Sequence, residues 1–347
     1  MSSYLIVDGE DMNYLWNTVQ QQQIVFHPDI SPAGKIDTKK FFQSKAKKPY
    51  ILFLDRNILS SLLKFCERGS LKNKGESQLI GIIMAWAEMN GISISAGFAV
   101  REYAAQLHSQ EAGLIELQKF KEIFETYPGQ MWLEVAEGQR TEIPPITYSQ
   151  KPANNITVDY ADAGDHYDMA VASLLCAVRL YRNNNLTAIE KFQQFFQWMY
   201  DHVLISEYLL VYTAMLFTGQ ENIKAPKNAN SNEIEKIVAG CENQAWDISY
   251  LTNWSTMYSD PNSYAKEMLF ATNDILLKRI FINKNGPNGF NGLLYEVFTK
   301  REYTQLTSFI EERMKNRVKP SFGQDTHAYF QHLIDQEKQM LAEQLSS

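Results

Sequence analysis

Four acidic residues occupy positions from which a chain can build a phosphodiester-cleaving centre: Asp55, Glu102, Asp247 and Asp274. Asp55 directly follows the apolar run Tyr50–Leu54, and Asp274 follows Met268–Ala271 after Thr272 and Asn273. Glu102 lies in the helical spacing that starts at Phe98, and Asp247 opens a helical pattern continued by Ile248, Leu251 and Trp254. Gathered in one cleft, these carboxylates would repel: two charges ~5 Å apart at an effective dielectric of ~20 cost on the order of 3 kcal/mol. A divalent cation removes that cost. All-oxygen donors without His or Cys favour Mg²⁺ or Mn²⁺ over zinc. Such a centre suits hydrolysis of phosphodiesters, the metal activating water and steadying the developing negative charge.

The elements around these acids have to carry them to one edge. Tyr50–Leu54, bounded by Pro49 and Asp55, has the continuous apolar character of a strand buried on both faces, as in a parallel sheet. Ile58, Leu59, Leu62, Leu63, Phe65 and Cys66 follow at helical spacing up to Gly69, and Leu79–Met89 predicts a second helix. Ile92 and Ile94 alternate with serines in a short strand, and Met268–Ala271 is a further strand. In a parallel sheet Asp55 and Asp274 would share the carboxyl edge, where open α/β folds bind ligands. Between these parts the pattern is helical: Met169–Tyr181, Ala188–Val203 and Val203–Thr218, with a weak strand at Met131–Val135 and a proline-containing connector over Gly138–Asn155. Tyr295–Phe298 is a weak strand, Thr299–Glu302 fits a capping box, and Tyr329–Leu345 forms a closing amphipathic helix. Tyr4–Val7 predicts a short strand within an amino-terminal loop region that includes Gln20–Gln23.

Taken together, these motifs resemble PIN-domain nucleases. Phe53–Leu59, with Asp55 and Asn57, is similar to that family's opening motif; Phe98–Glu102 is similar to its helical second acid; Trp246–Leu251 to its third; Phe270–Asp274 to its closing Thr-x-Asp. The resemblance covers Tyr50–Gln110 and Gln244–Val318, and the long gap between Glu102 and Asp247 is what an insertion would produce. It implies an α/β, PIN-like three-layer domain with a central, mainly parallel sheet, interrupted by a large all-helical insertion. The division expected is an appendage at 1–48, PIN-like parts at 49–110 and 244–318, the insertion at 111–243 and a terminal helix at 319–347. The activity implied is that of a Mg²⁺- or Mn²⁺-dependent endoribonuclease, with Asp55, Glu102, Asp247 and Asp274 as metal-holding catalytic residues and Asn57 and Thr272 in support. The family usually carries a small hydroxyl residue after its first acid; this chain has Arg56. Arg56 and Lys278 are the phosphate-contact candidates, and Lys39–Lys48 is a basic cluster beside the first strand.

Each acid also has a purely structural reading: Asp55 and Asp247 as helix caps, Glu102 as a solvated helix face. A rival third acid lies in Asp159, Asp162, Asp165 and Asp168, which recur ahead of an Ala-rich helix with His166 among them; their bland reading is a solvated loop and helix start. The alternatives to an RNA nuclease are a non-catalytic PIN-like interaction module, binding a protein partner or inhibitor through the helical insertion, and a structure-specific DNA nuclease.

Composition bounds these readings. The chain has 347 residues, 45% hydrophobic and 21% charged, enough for two lobes at ~150 residues per domain and for a sizeable core. With 33 Lys and Arg against 40 Asp and Glu the net charge is −7, so any hold on RNA rests on local groups rather than global charge. Three well-separated cysteines argue against disulfides and Cys-based zinc, and predict a reducing, cytoplasmic setting. Val203–Thr218, the most membrane-like stretch, is interrupted by Glu207 and is shorter than a span. Neither a Gly-x-Ser-x-Gly elbow nor a Walker phosphate loop is present.

Overall fold

The computed structural model describes residue 5 and residues 7–259, 266–315 and 317–346. Tyr4 and Ile6, in the strand expected over Tyr4–Val7, lie outside the described residues. The chain is mixed α/β, 64% helical, with one four-stranded sheet, and divides into two compact units. The first comprises residues 1–163 and 256–278, the second 164–255 and 279–347.

In the first unit, α1 (Gly9–Gln22), β1 (Val25–Phe26) and α2 (Thr38–Lys45) precede β2 (Tyr50–Leu54), α3 (Arg56–Arg68), α4 (Lys74–Met89), β3 (Ser93–Ser95), α5 (Gly97–Gln106), α6 (Gln110–Thr126) and α7 (Gly129–Ala136). β4 (Glu267–Ala271) completes the sheet, in the order β1-β4-β2-β3. β2 runs parallel to both β3 and β4, with Leu54 opposite Ala271, and β1 pairs antiparallel with β4. β2 is buried along nearly its whole length, which explains its unbroken apolar sequence.

The first 48 residues are part of this unit's core rather than an appendage. Leu15, Trp16 and Val19 of α1 and Phe41 of α2 are buried, and Trp16 meets both Phe41 and Trp86 edge-on. The Gln20–Gln23 stretch expected as loop mostly belongs to α1, capped by Asp8 and closed at Gln23 in the left-handed region. Met131–Val135 is helical, as α7, and packs so closely on α4 that a Cβ on Gly81 would come within 2.6 Å of the Ala136 nitrogen. Trp132 and Leu133 thereby join the same core as the sheet, which is why α6 and α7 belong to the first unit and the boundary falls near residue 163 rather than 110.

The second unit is helical: α8 (Asp165–Arg182), α9 (Ala188–His202), α10 (Glu207–Phe217), most of α11 (Ile234–Ser259) and of α12 (Ile275–Asn285), then α13 (Gly289–Val297), α14 (Lys300–Lys315) and α15 (Thr326–Ser346). Tyr295–Phe298, expected as a weak strand, instead closes α13. The Thr299–Glu302 capping box forms: the Thr299 amide donates to the Glu302 carboxylate at 2.9 Å. α8 packs on α15, where Arg179 gives Glu337 two hydrogen bonds of 2.8 and 3.1 Å. Among the described residues, no helix is long and apolar enough to cross a membrane.

Candidate functional site

β2 and β4 end side by side, and their parallel register brings Asp55 and the Thr272–Asp274 turn to the same sheet edge. Asp55 is also the N-cap of α3, its Oδ1 accepting the Ile58 amide at 2.8 Å. The Thr272 hydroxyl donates to Asp55 Oδ2 and, on its other side, accepts the Asp274 amide at 3.0 Å. The Asn273 amide adds a further donor to Asp55. Asp274 in turn caps α12, its Oδ1 accepting the Leu277 amide at 2.9 Å. One threonine therefore links the two acids, and each acid starts a helix.

Asp55 is 1% exposed, and burial pushes its carboxyl up to about 6. The hydroxyl and amide donors oppose that rise, whereas the neighbouring Asp274 charge adds to it. Lys278 is half-buried on the first turn of α12; its ammonium donates to the Gln22 carbonyl at 2.8 Å and to Asn273 Oδ1 at 3.0 Å. Burial lowers its pKa, while Asp55 and Asp274 pull it back up, so it shares their electrostatic environment. Asn57 and Asn273 line a cavity of about 280 Å³ beside this edge, together with Ser61 and Glu76, whose hydroxyl and carboxylate are hydrogen-bonded.

The other expected participants have different settings. Glu102 is half-buried on α5, after β3 on the far side of β2, and accepts a hydrogen bond from Gln106 at 3.0 Å. Asp247 lies within α11 rather than at a helix start, in the second unit, and accepts from Gln244 at 2.8 Å. Asp168, its rival, is buried in the first turn of α8 and bridges to α15 by accepting from His327 at 2.7 Å and Gln331 at 3.3 Å. It is thus a helix-to-helix tie rather than a solvated loop residue. Arg56 turns onto α6, donating to Glu116 at 2.6 Å and to the Ala99 carbonyl at 3.3 Å, with Tyr103 beneath its guanidinium at 4.7 Å.

Among the described residues, no three Asp, Glu, His or Cys side chains gather as a metal-holding group. The cluster of four acids expected from the sequence is therefore reduced, in the first unit, to the linked pair Asp55 and Asp274. That pair suits Mg²⁺, which commonly takes one or two carboxylates and keeps water or phosphate oxygens in its remaining positions. Glu116, the buried partner of Arg56, was missed from the sequence, although an acid on a helix face otherwise made of Gly113, Leu117 and Phe120 is a readable signal. No family model, curated protein or solved structure matches the chain.

Proposed function

We propose that the β2–β4 edge is a PIN-like, metal-dependent nuclease centre acting on RNA, with Asp55 and Asp274 as its metal-holding residues. The observation carrying this reading is the threonine link: two carboxylates at the ends of adjacent parallel strands, fixed by the Thr272 hydroxyl and by the first turns of α3 and α12. Their unrelieved repulsion, expressed in the raised pKa of Asp55, is what a hard cation would remove. A bound Mg²⁺ or Mn²⁺ would supply activation of water and charge stabilisation at the phosphorus. Thr272 holds Asp55 in one orientation, Lys278 offers an ammonium to a phosphate oxygen, and Asn57 and Asn273 offer amide groups to the sugar–phosphate chain. Glu102 stays a candidate outer participant, since its helix follows the strand paired with β2.

The test is cleavage of single-stranded RNA, with a DNA oligonucleotide in parallel, in Mg²⁺ and in Mn²⁺. Asp55→Asn and Asp274→Asn should each remove metal-dependent cleavage while the far-UV spectrum is unchanged. Cleavage by both variants at the wild-type rate rejects the reading, and cleavage of DNA alone reassigns the substrate.

A second reading is a non-catalytic module of the same kind, favoured by the position of Lys278, whose fixed positive charge partly does what a cation would do. Calorimetry with Mn²⁺ separates the two: a folded wild-type chain that takes up no Mn²⁺ supports the module.

A further inference from the structure

A cavity of about 360 Å³ opens in the first unit among α3, α5 and α6, a size in the ~300–1,000 Å³ range of small-molecule sites. Its walls include Arg56 and Lys64 of α3, Tyr103 of α5, Glu116 and Lys119 of α6, and Tyr148. Glu116 is only 5% exposed. One of its oxygens accepts from Arg56 at 2.6 Å, and the other, Oε2, is buried with no hydrogen-bond partner. Buried polar atoms are nearly always paired, and one left unpaired on a cavity wall calls for a donor from whatever fills the cavity.

The surroundings say what kind of donor. Arg56 is held by Glu116, by the Ala99 carbonyl and by the Tyr103 ring, so the pair is rigid and the orientation of the carboxylate is set in advance. A guanidinium has five N–H groups, so Arg56 retains donors beside the free acceptor of Glu116. The cavity wall thus shows a donor next to an acceptor that can take more than one N–H. Guanine has the complementary edge: a carbonyl oxygen next to two adjacent N–H donors. Adenine pairs a single donor with an acceptor, and cytosine's one amino donor is likewise flanked by an acceptor, so each gives the carboxylate less. Tyr148 contributes an apolar ring face, with the Lys119 ammonium 5.8 Å from its centroid, and Lys64 is exposed on the rim. Two ammonium groups near the opening suit a phosphate.

We propose that this cavity binds a guanine nucleotide, the base edge on Glu116 and Arg56 and the phosphate on Lys64 and Lys119. The binding does not depend on cleavage at Asp55, and its readout is separate from that reaction.

The experiment is titration calorimetry on the full chain without added metal, using 5′-GMP, 5′-AMP, guanosine and inorganic phosphate. Binding of 5′-GMP is expected to be about tenfold tighter than that of 5′-AMP, near the low end of discrimination by a two-bond base contact. Glu116→Gln should remove most of that preference, and Lys119→Ala should weaken 5′-GMP several-fold while leaving guanosine unchanged. If Glu116→Gln does not fold, the Lys119→Ala series, together with slowed amide exchange in α3 and α6 of the wild type on adding 5′-GMP, decides the matter. A folded wild type that does not bind 5′-GMP overturns the proposal. So does equal binding of 5′-GMP and 5′-AMP, or inorganic phosphate binding as tightly as 5′-GMP.

Discussion

Asp55 in the first unit and Glu337 in the second are each 1% exposed, yet they are accommodated in opposite ways. Glu337 faces Arg179, which donates to both of its oxygens, so charge and hydrogen-bonding capacity are met together. Asp55 receives only a hydroxyl and backbone amides, and its nearest acid, Asp274, works against its ionisation. Glu116 stands between them, with one oxygen matched by Arg56 and the other unmatched. A buried acid whose partner is built in ties helices together; one whose partner is missing marks where something else is to be bound. Burial alone does not separate the two cases. The inventory of partners does.

The comparison can be broken most severely at Glu337. Glu337→Ala leaves Arg179 charged and half-buried, and should cost about 3–5 kcal/mol, whereas the apolar double variant Arg179→Met with Glu337→Leu should recover most of that loss. Urea denaturation of the three proteins measures both; a mild effect of Glu337→Ala would show that the pair is not what joins α8 to α15.

Asp55→Asn should act in the other direction. A carboxyl held at about 6 against an ordinary 3.8 favours folding while it is protonated. That contribution is complete below pH 3.8 and is lost as pH rises through 6, the gap corresponding to roughly 3 kcal/mol. Asparagine keeps the N-cap of α3 and cannot ionise, so the metal-free variant should be more stable than wild type at pH 8, by up to about 3 kcal/mol, and similar near pH 4. Denaturant midpoints at the two pH values check this. Paired with lost cleavage, it would be the signature of a site that sacrifices stability for chemistry.

Thr272→Val removes a donor from Asp55 and an acceptor from the Asp274 amide, and should destabilise by about 1–3 kcal/mol at neutral pH while raising the Asp55 pKa further. A carbon-13 titration of the Asp55 carboxyl in both proteins reads the shift. The smallest effect is expected at Glu267. His27 accepts two backbone amides at Nδ1, so its proton sits on Nε2 and is donated to Glu267 at 2.8 Å, which holds that carboxyl below its usual range. Glu267→Gln should cost about 1 kcal/mol at pH 7. Because the folded-state pKa is lowered, the difference should vanish as pH falls below 4.5.

The parts of this architecture that the sequence disclosed are those with a strong local signal. Tyr50–Leu54 is a strand because an unbroken apolar run ends at an acid that caps the next helix, and Thr299–Glu302 opens a helix for a reason confined to four residues. The carboxyl-edge placement of Asp55 and Asp274 needed only the parallel character of their strands. What stayed hidden depends on distant partners. β1 is two residues long and is a strand only because β4 lies beside it. α7 is short enough for its apolar run to pass for a strand, and only its packing on Gly81 makes it helical core. Asp247 precedes an apolar helical pattern, but α11 begins thirteen residues earlier, at Ile234, so it caps nothing. Arg56 was read as a contact for phosphate because Glu116, sixty positions away, gives no sign in the local sequence that it takes up the guanidinium.

The sheet order has a consequence for how this chain matures. β1 touches only β4, and β4 also flanks β2, yet β4 is made some 240 residues after β1. While the chain leaves the ribosome, β2 and β3 can pair early, but one side of β2 and the whole of β1 must wait. The wait covers nearly all of the helical unit, which can condense on its own short-range contacts in the meantime. The nascent first unit therefore exposes an apolar strand edge for most of synthesis, and closes only when one late five-residue segment slots between two early ones.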